Sequence, residues 1–445
     1  MKTVLIYKET AMNKKELLKR IIVEFQKTRV NLIPRDLRLP LDLAQTATLY
    51  GPRRCGKTYL FYQTIQELLN KGVAAERILF VNFEDERILP FRQEDWELLL
   101  DSYFELYPGH HDGRIFLFLD EIQEAPLWEK FVRRLSEKKN FQIFLTGSSS
   151  RLFAGEIATT LRGRTIPYFL MPFSFREFLR ARKFKIEAHV EYSPQRHKIK
   201  QYFNEYLKFG GFPEVFDRED HLKNQILQGY FDLIFYKDVV ERYKIRNLGL
   251  MRDFMRYLLT HFSSLFSMTS YYRLLKGAGQ RIGKDTLFEY LALLEDVNFI
   301  KMVPLFDYSL KRQAVNLRKI YCLDTGLPTA VTAQFSENRG RYLENIAFLE
   351  LLRRGKKIYY YRDKKGHEID FVITERGKPQ NLIQVAMDLD HPQVKEREIR
   401  SLSAAAALFD IRDCIILTED QKTEIKEGKL RIKVLPLWHW LIPNE

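Results

Sequence analysis

Residues 46–70, "TATLYGPRRCGKTYLFYQTIQELLN", run from an apolar stretch through a glycine-bounded loop straight into a helical pattern with apolar residues three and four positions apart. A strand that passes through a short loop directly into a helix is normally followed by a crossover to a parallel neighbour, so this stretch commits the chain to alternating strands and helices. The following sequence keeps to that commitment. "RILFVNFEDE", "RIFLFLDEIQ", "FQIFLTGSSS" and "RTIPYFLMPFS" read as four further strands, and the unbroken apolar run from Ile115 to Leu119 is expected of a strand covered on both faces. The expected fold class is α/β: a parallel sheet with helices on both faces over residues 41–185, behind a helical N-terminal extension, 1–40.

The loop itself fits G-x-x-x-x-G-K-[ST], the P-loop spacing that wraps nucleotide phosphates. Gly51 and Gly56 let the backbone turn its N–H groups inward, and the following helix adds its N-terminal dipole. Lys57 is expected to reach the β- and γ-phosphates and Thr58 to coordinate Mg²⁺. The residues expected to contact the nucleotide are Gly51, Pro52, Arg53, Arg54, Cys55, Gly56, Lys57, Thr58 and Tyr59. Asp120 and Glu121 close the strand of "RIFLFLDEIQ", at the strand end where ligands bind in open α/β sheets. Asp120 is expected in the magnesium shell with Thr58, and Glu121 as the group that orients or deprotonates the attacking water. In "LTGSSS", Thr146 or Ser148 would sense the γ-phosphate or position that water. Arg162 and Arg164 of "LRGR" are candidates for an arginine finger acting in cis or on a neighbouring subunit, and the second option calls for a homo-oligomer. The guanine-reading N/T-K-x-D pattern is absent, which favours ATP over GTP. These readings narrow the fold to a P-loop NTPase and the activity to ATP hydrolysis, with ATP and Mg²⁺ as cofactors.

With 445 residues the chain is too long for one ordinary core. Residues 186–247 read as helical and aromatic, broken by "FGGFPEV". Residues 248–330 read as three helices with short strands, a winged-helix-like pattern in which Lys284 to Asn298 is the candidate recognition helix and "SLKRQAVNLRK" from Ser309 the basic wing. Residues 339–445 read as a small α/β domain. The net charge of +14 is concentrated: residues 151–210 carry twelve Lys/Arg against five Glu, and residues 241–320 fourteen against seven Asp/Glu. A polyanion such as DNA or RNA would bind through these two segments; a protein partner is the other expectation. Three separated cysteines, Cys55, Cys322 and Cys414, form neither a disulfide framework nor a zinc spacing, and no run approaches 18 uncharged apolar residues. A soluble, cytoplasmic protein without membrane contact is therefore expected.

The ordered set "GPRRCGKT", "VNFED", "FLDEIQ", "LTGSSS", "LRGR", "PFSFREFL", "YFNEYLKFGGFPEV", "KDVVERY", "YLALLEDVNFI", "IYCLDTGL", "RYLENIAFLELLRRG" and "EIDFVI" resembles the AAA+ type ATPases of bacteria and archaea that carry a C-terminal domain of unknown function. The resemblance spans about residues 45–390. It implies ATP binding and hydrolysis on the P-loop core, then a winged-helix-like segment, then a domain shaped like a restriction endonuclease. Nucleases of that shape use a helix Glu, an Asp on one strand and [DE]-x-K on the next. Here Glu344 and Asp370 match, but the third element reads Gln384-Val385-Ala386, so an amide replaces a carboxylate and a methyl replaces the lysine. Lys395 on the following helix is the candidate substitute for that lysine. The main expectation is an ATPase coupling turnover to movement on a nucleic acid or protein partner; the alternatives are a non-catalytic ATP switch or adaptor and an ATP-driven nuclease.

Overall fold

The computed structural model describes residues 2–147, 164–187, 189–332, 335 and 337–442, with side chains from Lys14 onward. They fall into two compact units, Met1–Leu170 and Met171–Glu445.

In the first unit β1 (Thr46–Tyr50), β2 (Ile78–Asn82), β3 (Ile115–Asp120), β4 (Phe141–Gly147) and β5 (Thr165–Phe169) form one sheet in the order β2-β3-β4-β1-β5. Every neighbouring pair is parallel. Strand periodicity divides β3 between two cores. Ile115, Leu117 and Leu119 pack with helices Asp95–Leu106 and Trp128–Ser136, while Phe116 and Phe118 pack beneath helix Lys57–Asn70. Phe118 stacks on Phe144 at 4.4 Å and meets the edge of Phe61 at 5.1 Å. The N-terminal helix, Lys2–Lys27, adds Leu18 and Ile22 to the first of these cores. With both faces covered, the strand ends are what the sheet offers for function. β1 and β3 run the same way with only β4 between them, so the loop after Tyr50 and the side chain of Asp120 open at the same edge, about 10 Å apart at the backbone. This is a P-loop NTPase sheet.

The second unit opens with helices Phe175–Ala181, Gln195–Phe209 and Asp220–Leu233, the last continuing as π-helical turns over Ile234–Glu241. The "FGGFPEV" break has a steric cause. Gly210 has φ +74°, and a Cβ there would lie 1.9 Å from Asp324 Oδ1. The Gly211 amide donates to Asp324 Oδ2 at 2.7 Å, and burial pushes that carboxyl up to about 7. Helices Leu248–Thr260, Met268–Gly277 and Lys284–Asp296 follow, with β6 (Ser264–Phe266), β7 (Ile300–Val303) and β8 (Arg318–Cys322) in a small antiparallel sheet of order β6-β8-β7. The segment read as a wing forms a short helix, Leu310–Val315, between β7 and β8. The chain then enters helix Arg339–Arg353 and a six-stranded sheet of order β13-β14-β12-β11-β10-β9, built from β9 (Lys357–Arg362), β10 (Glu368–Glu375), β11 (Lys378–Val385), β12 (Asp413–Thr418), β13 (Thr423–Glu427) and β14 (Leu430–Pro436). No helix of the described residues is long and apolar enough to cross a membrane.

Candidate functional site

β1 delivers the chain into the loop at Gly51. A side chain there is sterically impossible, since a Cβ would stand 2.1 Å from the carbonyl oxygen of Leu170. The loop leaves through Gly56, the N-cap of helix Lys57–Asn70, in a left-handed conformation with φ +96° that an L side chain rarely adopts. From outside, Arg35 Nη1 donates to the carbonyl of Cys55 at 2.8 Å and pins the loop's outer wall. The Cys55 side chain is itself buried, and burial pushes its thiol above the usual range.

Lys57 lies inside this curl, only 5% exposed. Its ammonium is 3.4 Å from the carbonyl oxygens of Gly51 and Pro52 and 3.5 Å from Glu121 Oε1. Burial works against that charge, but the carboxylates of Glu121 and Asp120 more than offset it and hold the group above its ordinary value. These contacts are long for charged pairs, so the ammonium has room for better acceptors.

Thr58 Oγ donates to Asp120 Oδ2 at 2.7 Å, and Thr146 Oγ donates to Asp120 Oδ1. Asp120 is 1% exposed, and burial raises its carboxyl to about 6 against the opposing pull of these two hydroxyls. Glu121 takes a left-handed backbone, φ +49°, which turns its side chain towards Lys57. Its amide donates to Thr146 Oγ at 2.9 Å, and Gln123 Nε2 donates to Glu121 Oε2 at 2.6 Å. A hydroxyl and a carboxylate side by side form the hard oxygen pair that Mg²⁺ prefers, so Thr58 and Asp120 fit the ion. Among the described residues no group of three His, Cys, Asp or Glu is disposed to hold a metal by itself. A cation here must therefore bring ligands of its own, as a nucleotide-bound Mg²⁺ does.

Residues 44–179 match the family model described as an AAA domain, and residues 200–338 and 339–440 match two families described as domains of unknown function. The uncharacterized protein MJ1544 of Methanocaldococcus jannaschii is 34% identical over 422 residues, which cover 93% of this chain and 91% of that protein. The chain belongs to that protein's family, as a member with an AAA domain. An uncharacterized protein of Haemophilus influenzae is 30% identical over 76% of this chain and 82% of its own length. Among solved structures, the Aeropyrum pernix Orc1 protein in complex with DNA aligns with 74% of this chain and 92% of that one, at 14% identity and a TM-score of 0.31, a likeness too loose to carry function.

Within the AAA domain the structure brings Lys57, Thr58, Asp120 and Glu121 together. Thr146, read with Ser148 as a residue to sense the γ-phosphate or position water, is fully buried, with its hydroxyl bonded to Asp120 and the Glu121 amide. Arg164 is corrected as a finger acting in cis. Its carbonyl accepts from the amide of Thr46, the first residue of β1, whereas the phosphate loop follows the last, roughly 13 Å along the strand. Its guanidinium pairs with Glu137 at 3.1 Å. Ser148 and Arg162 lie outside the described residues. Tyr59 is 55% exposed with its ring edge-on to Tyr62, and Arg53 stands 3.5 Å from Glu84.

In the second unit Glu344, Asp370 and Gln384 do converge: the Asp370 amide donates to Gln384 Oε1 at 3.2 Å, and both Asp370 and Glu344 bond to one lysine ammonium. That lysine is not Lys395, which is exposed on helix Pro392–Phe409. It is Lys319, the last residue of the stretch read as a phosphate-binding wing, and it is buried. Lys319 is therefore withdrawn from any polyanion surface. Reading its position in a basic run could not reveal this, because its partners come 25 and 51 residues later.

Proposed function

We propose that the AAA domain binds and hydrolyses Mg·ATP and couples turnover to movement on a nucleic acid. The observation carrying this reading is the 2.7 Å contact between the Thr58 hydroxyl and the Asp120 carboxylate beside a buried ammonium that is only loosely held. Thr58 and Asp120 would hold Mg²⁺, which when bound would neutralise charge on the phosphates. The chain's own residues do the rest. The loop amides receive phosphate oxygens, and Lys57 leaves Glu121 for the more negative acceptor. Glu121, released from its ion pair and still steered by Gln123, is then free to accept a proton from the attacking water. In this scheme nucleotide binding itself arms the base by drawing Lys57 away from Glu121.

Support for a nucleic acid comes from surface charge. Arg273, Lys276, Lys284, Lys311 and Arg312 are exposed on the helices around the three-stranded sheet, and Arg281 is exposed on the connection just before Lys284, all in the segment read as winged-helix-like. Duplex DNA is expected to raise steady-state ATP turnover several-fold at low salt, and the stimulation should fade as salt rises because phosphate contacts release counterions. An unchanged rate with both DNA and RNA, in a preparation that hydrolyses ATP, would reject the nucleic-acid partner while leaving the ATPase intact.

A further inference from the structure

The second unit contains a buried ionic cluster that the ATPase does not use. Lys319, on β8, is 3% exposed. Its ammonium lies 2.7 Å from Asp370 Oδ1, 2.8 Å from Glu368 Oε1 and 3.1 Å from Glu344 Oε1. The three acceptors come from β10 and from helix Arg339–Arg353, so two separate elements converge on one atom of a third. Two further bonds hold the same carboxylates: Tyr321 donates to Glu344 Oε1 at 2.7 Å, and the Val385 amide donates to Asp370 Oδ2 at 2.9 Å. Burial opposes the charged lysine, yet the carboxylates of Asp370 and Glu344 keep it protonated, well above the usual range.

The pattern of Glu344 and Asp370 suggests a divalent metal at this place, and the donor set does not fit one. The place among the carboxylates is taken by the Lys319 ammonium, which bonds them at 2.7–3.1 Å. The third position offers the amide of Gln384, already accepting from the Asp370 amide, and the methyl of Ala386. An ammonium group fills the centre.

We propose that this is a cation site which the chain fills with its own Lys319, in place of a divalent metal, and that Lys319 thereby bolts the three-stranded sheet onto the six-stranded one. Three carboxylates gathered this closely, two of them largely buried, repel one another unless a cation sits among them, so the lysine's removal creates demand for one from solvent. The C-terminal domain then serves as a structural or recognition module and has no metal-dependent cleavage activity.

The experiment is a Mn²⁺ titration of the full chain without nucleotide, followed by the loss of the free-ion electron paramagnetic resonance signal. Four proteins are compared: wild type, Lys319→Ala, Asp370→Asn and the Lys319→Ala/Asp370→Asn double variant. The expected result is that wild type and Asp370→Asn bind Mn²⁺ alike, while Lys319→Ala gains one site at least tenfold tighter than any in the wild type, lost again in the double variant. A wild-type site that Asp370→Asn removes would overturn the proposal, as would a folded Lys319→Ala protein that binds no more tightly than wild type. If Lys319→Ala does not fold, the melting temperature of the wild type decides. The same value in EDTA and in millimolar Mn²⁺ upholds the proposal, and a rise with Mn²⁺ that Asp370→Asn abolishes overturns it.

Discussion

Lys57→Ala is expected to weaken ATP binding about 100-fold, the equivalent of ~2.8 kcal/mol, with little change in the stability of the fold. Both halves follow from where the ammonium sits. Within the loop it makes contacts of 3.4–3.5 Å with two carbonyls and one carboxylate, too long to contribute much to folding. Against a triphosphate the same group would make short, charge-assisted bonds in a pocket that excludes water, each worth about 1.5–3 kcal/mol. Isothermal titration with a slowly hydrolysed ATP analogue, paired with a thermal melt of each protein, reads both quantities. A variant that bound the analogue as tightly as wild type would remove Lys57 from the nucleotide site. A variant that simply unfolded would show the lysine to be structural.

Glu121→Gln is expected to lower turnover by about 10²–10³-fold while leaving ATP affinity equal to wild type or better. The amide keeps the shape of the side chain and can still bond Gln123, but it cannot accept the proton of water. The direction of the affinity change comes from the resting geometry. Glu121 holds the Lys57 ammonium at 3.5 Å, so binding phosphate costs the loss of that pairing; with the charge gone, the lysine is freer to turn to the nucleotide. Single-turnover hydrolysis together with equilibrium binding separates the two effects. Should Glu121→Gln hydrolyse ATP at the wild-type rate, another residue is the base. Should it lose turnover yet retain full biological activity, ATP acts in this chain as a locking ligand and hydrolysis is dispensable.

Parts of the site were legible in the sequence for a physical reason. A strand buried on both faces has no polar positions to spare, so the apolar run Ile115 to Leu119 announces itself, and the first acids after it, Asp120 and Glu121, must stand at the sheet's open edge. The loop was equally readable, since Gly51 and Gly56 occupy positions that reject a side chain by contact or by conformation. What stayed hidden depends on partners distant in sequence. Thr146 looks like any small polar residue at a strand end until its hydroxyl is found on Asp120, 26 positions earlier. Arg164 sits beside the right motif but at the wrong end of its strand, a distinction that only the register between Arg164 and Thr46 reveals. Lys319 is the plainest case: within a basic run it resembles a solvated charge, and only folding brings Glu344, Glu368 and Asp370 around it.

The central claim is that the loop from Gly51 to Thr58 and the acids at the end of β3 enclose Mg·ATP. A crystal structure of the chain with Mg²⁺ and a non-hydrolysable ATP analogue tests it most directly. The expected electron density has the β- and γ-phosphates inside the loop, the Lys57 ammonium moved from Glu121 to phosphate oxygen, and Mg²⁺ on Thr58 Oγ with Asp120 in its shell. Nucleotide bound elsewhere, or a loop still closed on Lys57 with Glu121 as its partner, would contradict the account.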